Sequence, residues 1–425
     1  MVSSTMRRLF ISTVLSVLLI PGLAQTQQSL SQSRQAEGSN LSTSSVSAIV
    51  TSPRARVGYL ARARLWSDPG VLSPQDILNG PENPEGFDQS GVLTCSFAQA
   101  GAQVGGASRK FLCRTDEGQT LMVKYWDPAT GEGNREVFSA IASTRLMWAL
   151  GFKPVPAWPL TVRCRDCPAD PMSGRGARGA RDYLAAVAAG LGSEGSRILS
   201  GEDDNQGWSW QELEEATASL PPGPERTAQR THFAALTLLA AFIQHGDRKP
   251  EQQRLYCAGP VDTAAGTIRT KDNGRRSLLF ERPDAVSCRE PVVAIADVGA
   301  TLGGAGLTSS ETNAKMNFDQ WRKRQVFSTH RPGEQCRARV TVSMAAGSEG
   351  RGNPVIAEEG RRFLLDRLEH LTPDHIRALF TAARVDKLRG PSAPPVSSEV
   401  LIQQWVEAFN DKVRQIASEH CQPMS

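Results

Sequence analysis

The polarity pattern along the chain changes character several times. Leu9 to Ile20 is a mostly apolar run of 12 positions, ended by Pro21 and followed by the small residues of Gly22-Leu23-Ala24. Residues 25–52 are rich in Ser, Gln and Thr and almost lack large apolar groups. Such a segment buries too little to offset its ordering entropy, so a flexible tether is expected over 25–56. Apolar positions return at Val57, Tyr59, Leu60, Leu65, Trp66, Val71, Leu72 and Ile77, which predicts a helix or strap over 57–91 packed on the next domain. A period of two then predicts strands at Val92–Phe97, Arg109–Arg114 and Leu121–Trp126. A glycine-rich turn at 101–108 joins the first two, and Asp116-Glu117-Gly118 is a hairpin turn between the second and third. Asn134 reads as the N-cap of an amphipathic helix carrying Val137, Ile141, Leu146, Trp148 and Leu150 and ending at Gly151. Val155–Val162 returns as one or two short strands.

Beyond this block the pattern turns helical. Residues 165–230 read as a poorly ordered insertion with short helices, including a flexible, basic stretch from Ser173 to Arg181 and a helix opened by Trp208 and Trp210. The arginines there suit either a solvated loop or an anion contact. Glu225–Gln244 is a long helix, increasingly apolar toward Ile243, that delivers the loop His245 to Gln252. Residues 255–292 form a hairpin-like insertion with Cys257 and Cys288 near its ends. Val292, Val293 and Ile295 make a buried strand into Asp297, and 299–306 is a mobile glycine-rich loop. Helices over 357–370, 373–383 and 400–420 finish the chain, and no internal repeat is visible. The order predicts an α+β protein: a small β-rich part with one helix (92–163) and a larger, mostly helical part (164–425), with insertions at about 165–230 and 255–292.

Composition sharpens the setting more than the chemistry. At 425 residues, 40% hydrophobic and 22% charged, the chain can bury a sizeable core. A net charge of +4 from 48 basic and 44 acidic residues is too balanced to point to nucleic acid, and 6% aromatic content offers no stacking platform. Arg7 and Arg8 before the first apolar run, with the small residues after it, read as a secretory signal peptide over 1–24. The run is shorter than the roughly 20 residues a membrane helix needs. No other stretch is apolar enough to span, and no cysteine follows the run to carry a lipid anchor. Export, periplasmic or secreted, makes the eight cysteines disulfide candidates. The simplest pairing joins near neighbours: Cys95 with Cys113, Cys164 with Cys167, Cys257 with Cys288 and Cys336 with Cys421. Cys164 and Cys167 also have the spacing of half a zinc site, but no second such pair and no nearby His completes four ligands.

The chemistry-bearing residues are spread along this order. Lys124 lies mid-strand, where a buried ammonium needs a partner. Glu136 at the start of the following helix can pair with it, with Glu132 the runner-up. Asp247 follows the long apolar helix and is a carboxylate able to orient or deprotonate a hydroxyl. Lys249 can neutralise developing charge, and Gln252, five residues after Asp247, can offer an oxygen to magnesium. Asp297 is the stronger magnesium ligand, and Gly299 lets the chain turn sharply after it. Backbone amides at Gly101, Gly105 and Gly106 can approach phosphates.

Together these residues resemble a known family. His245-Gly-Asp247-Arg-Lys249-Pro-Glu-Gln252 resembles the protein-kinase catalytic loop His-Arg-Asp-Leu-Lys-Pro-Glu-Asn, and Asp297-Val-Gly299 resembles Asp-Phe-Gly. Asp247-Arg248 with Gln252 is also similar to the Asp-Arg-His-x-x-Asn loop of phosphoinositide-kinase-like and HipA-like enzymes. Val123–Tyr125 and Ala149–Phe152 match stretches of a set of exported bacterial proteins. The resemblance covers roughly residues 92 to 420 and implies a bilobal kinase-like fold with its site in the cleft. It implies ATP and Mg2+ (or Mn2+) as cofactors. It places Asp247, Lys249 and His245 in the catalytic loop, Lys124 and Glu136 on the nucleotide, and Asp297 and Gln252 on the metal. Gln252 in place of Asn, a short Lys124-to-Glu136 interval and the lack of an Ala-Pro-Glu motif set it apart from eukaryotic-type kinases and toward the secretory type.

The leading expectation is an exported kinase acting on a hydroxyl of a protein, glycan or lipid; related folds also transfer AMP. The alternatives are a pseudokinase that binds nucleotide or a partner without turnover, and an exported disulfide-held structural domain. Neither a Gly-x-Ser-x-Gly elbow nor a His-Glu-x-x-His motif is present to suggest a hydrolase.

Overall fold

The computed structural model describes residues 48–50, 53–82, 86–104, 108–188, 199–200, 207–245, 250–258, 267–270, 276–279, 288–304, 315–328, 334–339, 353–388 and 394–424. The signal peptide expected over 1–24 lies outside them. In chain order the strands are β1 Ala48–Val50, β2 Val92–Ala100, β3 Lys110–Thr115, β4 Thr120–Asp127, β5 Glu132–Gly133, β6 Ala157–Asp170, β7 Arg175–Ala188, β8 Leu199–Ser200, β9 Gln253–Cys257, β10 Thr267–Thr270, β11 Arg276–Leu279 and β12 Pro291–Ile295. The helices are α1 Pro53–Arg62, α2 Pro74–Asn79, α3 Gly101–Val104, α4 Glu136–Ala149, α5 Trp210–Ser219, α6 Pro224–Phe242, α7 Phe318–Lys323, α8 Glu358–Glu369, α9 Pro373–Ala382 and α10 Ser398–Ser418. The protein is therefore a mixed α+β chain. The expected tether ends earlier than 56, because β1 and α1 already fall inside that range.

The first sheet closes on itself. β3 pairs antiparallel with β2 and with β4, β4 with β7, β7 with β6, and β6 runs parallel to β2. Alternation fills the resulting barrel: Phe111, Cys113, Leu121, Val123, Tyr125, Val162 and Tyr183 belong to one buried cluster inside it. The long hairpin of β6 and β7 corrects the sequence reading in two ways. The stretch from Ser173 to Arg181 is not a flexible loop; from Arg175 it is strand, paired to β6 in register Cys164↔Arg181 and Pro168↔Arg178. The sheet also continues past residue 163. Glycines and arginines hide this strand from a hydrophobic pattern, since only from Tyr183 onward does it turn apolar.

Helix α4 is not amphipathic as the sequence suggests. All of its residues except Trp148 are buried, from Glu136 to Ala149. It lies between the outer face of the barrel, marked by Trp126, Ala157 and Ala186, and the apolar core that the other helices share. The strap over 57–91 fastens to it and to β12. Trp66 Nε1 donates to Leu150 O at 2.8 Å, Ser67 N to Gly151 O at 3.0 Å, and Arg64 N to Pro291 O at 2.8 Å. The helical core is built on aromatic contacts among α6, α7, α9 and α10, with Trp321 stacked on Trp405 at 5.5 Å and Phe242 edge-on to Phe409 at 4.9 Å.

The four disulfides are Cys95–Cys113, Cys164–Cys167, Cys257–Cys288 and Cys336–Cys421, the near-neighbour pairing expected, and no described cysteine is free. Such bonds belong to an oxidising compartment. Among the described residues no helix is long and apolar enough to cross a membrane.

Candidate functional site

The expected partners Lys124 and Glu136 meet. On β4, Val123 and Tyr125 point into the barrel, so Lys124 points out of it, toward α4. Only the short β5 separates β4 from α4, which brings the first turn of the helix under that face. Lys124 Nζ lies 2.6 Å from Glu136 Oε2, and the exposed Glu132 stays on β5. Asn134 Oδ1 accepts from the Glu136 amide at 3.0 Å, the cap contact its side chain suggests, although Arg135 is the boundary residue. Asn134 Nδ2 also donates to Glu136 Oε2 at 3.3 Å.

Asp297 arrives from a different element. β12 pairs antiparallel with β9 in register Ile295↔Gln253. That register sets Gln252 O to accept from Ala296 N at 2.9 Å, so Gln252 and Asp297 sit side by side at the end of the pair. Asp297 Oδ2 lies 3.1 Å from Lys124 Nζ, and Oδ1 accepts from Gly299 N at 2.9 Å. One lysine thus bridges two carboxylates from two elements.

The chain after Asp297 is not loose at its start. Ser139 Oγ of α4 donates to Gly299 O, Ser143 and Thr301 share a hydrogen bond at 2.7 Å, and Leu302 N donates to Ile243 O at 2.7 Å. Thr301 and Leu302 are buried. This corrects the expected mobile loop over its described part, 299–304. Gly299 is also not in the left-handed region a sharp turn would use. Its role is close approach, because a Cβ there would stand 2.8 Å from Glu136 Cγ.

The sequence reading missed three participants. Lys315 Nζ lies 2.6 Å from Glu136 Oε1, and Ser108 Oγ donates to that oxygen at 2.7 Å. Lys110 stands directly opposite Lys124 across the β3–β4 ladder. The charged core is well buried: side-chain exposure is 18% for Lys124, 6% for Glu136 and 13% for Lys315, with Asp297 more open at 33%. Burial pulls the Lys124 ammonium down, but Asp297 and then Glu136 outweigh it and hold its pKa above the usual lysine range. Burial likewise opposes ionisation of Glu136, yet Lys124 and Lys315 together drive its carboxyl well below the usual carboxylate range. Burial lowers the Arg254 guanidinium, and Asp297 opposes that shift.

The remaining predicted residues divide. His245 is fully buried at the end of α6, its amide donating to Ala240 O at 2.8 Å. Asp247 and Lys249 lie outside the described residues, as do Gly105 and Gly106. Gly101 belongs to packing: it opens the one-turn α3, its amide donates to Pro171 O at 3.3 Å, and a Cβ would meet Lys110 O at 1.8 Å. A cavity of about 480 Å³ bounded by Arg64, Trp66, Trp148, Lys153 and Tyr256 shares no residue with the ionic cluster.

No protein-family model matches the chain, and no curated protein matches it. Among solved structures, it is similar to the Helicobacter pylori proinflammatory kinase CtkA, at 11% identity and a TM-score of 0.34, over 77% of this chain and 96% of that one. At that TM-score the overlap is too loose to bear on fold or activity.

Proposed function

We propose that the chain is an exported, ATP- and magnesium-dependent phosphotransferase of bilobal kinase-like fold, acting on a hydroxyl of a protein, glycan or lipid. The observation that carries this reading is Lys124 held at 2.6 Å from Glu136 and 3.1 Å from Asp297. Phosphoryl transfer asks a protein mainly for positioned cations and an oriented nucleophile. A strand lysine fixed by a helix glutamate is a pre-oriented cation, and an Asp-x-Gly turn beside it is where a phosphate-bound metal would be met.

The donor set fits magnesium. Mg2+ uses one or two protein carboxylates with waters and substrate phosphates. Asp297, a third exposed, and its neighbour Gln252 would hold it, and the ion would supply charge neutralisation on the phosphates. Lys124 keeps its proton at working pH and contributes positive charge near the same anion. Asp247, placed by the sequence motif, would accept the hydroxyl proton, with Lys249 beside it and His245 anchoring the loop in the core.

The test is phosphate transfer from labelled ATP with Mg2+ or Mn2+, scored on the protein and on a mixed acceptor preparation. Wild type runs beside Asp247→Ala and Asp297→Ala, with nucleotide-induced thermal shift on the same samples. Label with wild type that vanishes in both variants is the expected result. A shift without label favours a nucleotide-binding pseudokinase, and neither shift nor label in oxidised, folded protein removes the nucleotide reading.

A further inference from the structure

We propose that the cavity between the strap and the β9–β12 pair is a binding site for a carboxylated sugar, in its simplest form a hexuronate. The inference does not rest on the phosphotransferase reading, and it concerns residues that reading does not use.

Register builds the floor of this site. Two extended segments share the edge of β12 that faces away from β9: Arg64 N donates to Pro291 O at 2.8 Å, and Ile295 N donates to Lys153 O at 3.1 Å. Arg64 is the parallel bridge partner of Val292, and Val292 is the antiparallel partner of Tyr256. The three side chains therefore stand in one row across three segments. Val293 and Ile295 face the main core, whereas Val292 and Tyr256 belong to a small separate cluster on the opposite face. Ala63 and Leu65 are buried in the main core, which turns Arg64 toward that second face. Lys153 Nζ lies 6.0 Å from the Tyr256 ring centre, so a second cation flanks the same apolar floor.

The walls add complementary groups. Trp66, Trp148 and Asp68 complete the cavity, whose volume of about 480 Å³ falls among those of small-molecule sites. Trp66 donates its N–H to Leu150 O, but Trp148 Nε1 has no acceptor among the described residues. Arg64 and Lys153 have no carboxylate within ion-pair distance among them either. Asp68 Oδ1 accepts from Gly70 N at 3.0 Å, and its other oxygen receives no hydrogen bond from the described residues.

Charge and shape together select the ligand. Two cations against one carboxylate leave a single positive charge, which a monoanion balances and a phosphomonoester dianion exceeds. The guanidinium fork of Arg64 matches a carboxylate. Asp68 repels a second anionic group but accepts from hydroxyls, and the Trp148 N–H donates to them. Tyr256 and Val292 offer an apolar floor to the C–H face of a ring. A uronate brings the carboxylate, the hydroxyls and the ring face at once. An aromatic acid leaves Asp68 and the Trp148 N–H without partners, which costs affinity when they are desolvated.

The probe is glucuronate, titrated by calorimetry into the oxidised protein beside glucose, which lacks the carboxylate, and benzoate, which lacks the hydroxyls. Wild type is expected to bind glucuronate more tightly than either. Arg64→Gln and Lys153→Gln are each expected to weaken glucuronate about tenfold, the order of one charge-assisted contact, and to leave glucose unchanged. Asp68→Asn is expected to weaken glucuronate and glucose but not benzoate. All three side chains are exposed, so the melting temperature should stay at the wild-type value in each variant. Phosphate transfer should also match wild type, so a failure here leaves the phosphotransferase reading where it stood. Glucuronate affinity unchanged in both Arg64→Gln and Lys153→Gln would overturn the proposal. So would benzoate bound as tightly as glucuronate and insensitive to Asp68→Asn, which would assign the cavity to an aromatic acid. A folded wild type that does not bind glucuronate overturns it outright.

Discussion

Gly299 lies beneath the side chain of Glu136: a Cβ on it would stand 2.8 Å from Glu136 Cγ, 2.9 Å from Cδ and 3.0 Å from Asp297 Oδ1. The glycine is the spacer that lets two carboxylates from different elements share Lys124. Gly299→Ala would wedge a methyl group between them, with buried backbone behind it. Overpacking of this kind costs about 1–3 kcal/mol. The expected outcome is a lower denaturant midpoint with a weakened nucleotide-induced thermal shift, and a larger loss in Gly299→Val. An alanine variant matching wild type in both would mean that Glu136 is not held over this backbone.

The ion cluster predicts an asymmetry between its members. Glu136 serves two ammonium groups, whereas Lys124 serves Glu136 and the more exposed Asp297. Glu136→Gln removes the carboxylate that Lys124 and Lys315 share, and breaking a buried ion pair from one side costs about 3–5 kcal/mol. Lys124→Met leaves Glu136 with Lys315 and exposes Asp297 to water, so its stability cost is smaller, about 1–2 kcal/mol by the same reasoning. Its effect on transfer is the larger, on the order of 10² or more in rate. Chemical denaturation and transfer assays on the two variants test this. Equal stability losses would contradict the sharing of Glu136.

How much of this was legible follows from the kind of signal each residue carries. Lys124, Glu136 and Asp297 were readable because local patterns, a period-two strand, a cap and an apolar run before Asp, placed each one, and local signals survive folding. Lys110 was readable in principle. The hairpin turn at Asp116-Glu117-Gly118 fixes the register that sets it opposite Lys124. Lys315 was not readable, since no periodicity surrounds it and only the return of the chain toward α4 brings it to Glu136. The β6–β7 hairpin was missed because pairing, not side-chain pattern, makes Arg175–Gly179 a strand. Helix α4 looked amphipathic because its Ser, Thr and Arg residues are polar; in the fold they are buried and bonded, as with Arg145, whose guanidinium donates to Asn79 O at 3.2 Å and Gln89 Oε1 at 2.7 Å.

The disulfides should rank by the loop each closes. Cys336–Cys421 spans 85 residues, Cys257–Cys288 31, Cys95–Cys113 18 and Cys164–Cys167 3. In the chain-entropy model these separations correspond to about 4–5 kcal/mol for the longest loop and about 1–2 kcal/mol for the shortest. Replacing Cys336 and Cys421 together by Ala should therefore lower thermal stability most, also freeing the C-terminal tail from residues 334–339. Replacing Cys164 and Cys167 should lower it least. Melting curves of the four double variants give the order, and a reversal at the two extremes would show that the unfolded chain is not what these bonds restrain.

Lys412 predicts a pH dependence that has nothing to do with the candidate site. It is buried on α10 with 1% exposure. Its Nζ donates to Arg324 O at 2.6 Å and lies 5.0 Å from the Trp321 ring centre. No carboxylate lies within ion-pair distance among the described residues, and burial pushes its pKa down to about 7. Above that pH the folded chain has released a proton that the unfolded chain holds until about 10.4. Stability must then rise with pH from about 7 toward 10, by at most about 1.4 kcal/mol per pH unit from this group. Below pH 7 both states are charged, and the contribution is flat and at its least favourable. Lys412→Met keeps the volume and removes the charge. It should therefore be more stable than wild type at pH 6, and the difference should shrink steadily toward pH 9.5. Guanidinium midpoints of both proteins at half-unit steps decide it: parallel profiles would mean that Lys412 keeps its charge in the folded protein, with Arg324 O and the Trp321 ring sufficient to hold it.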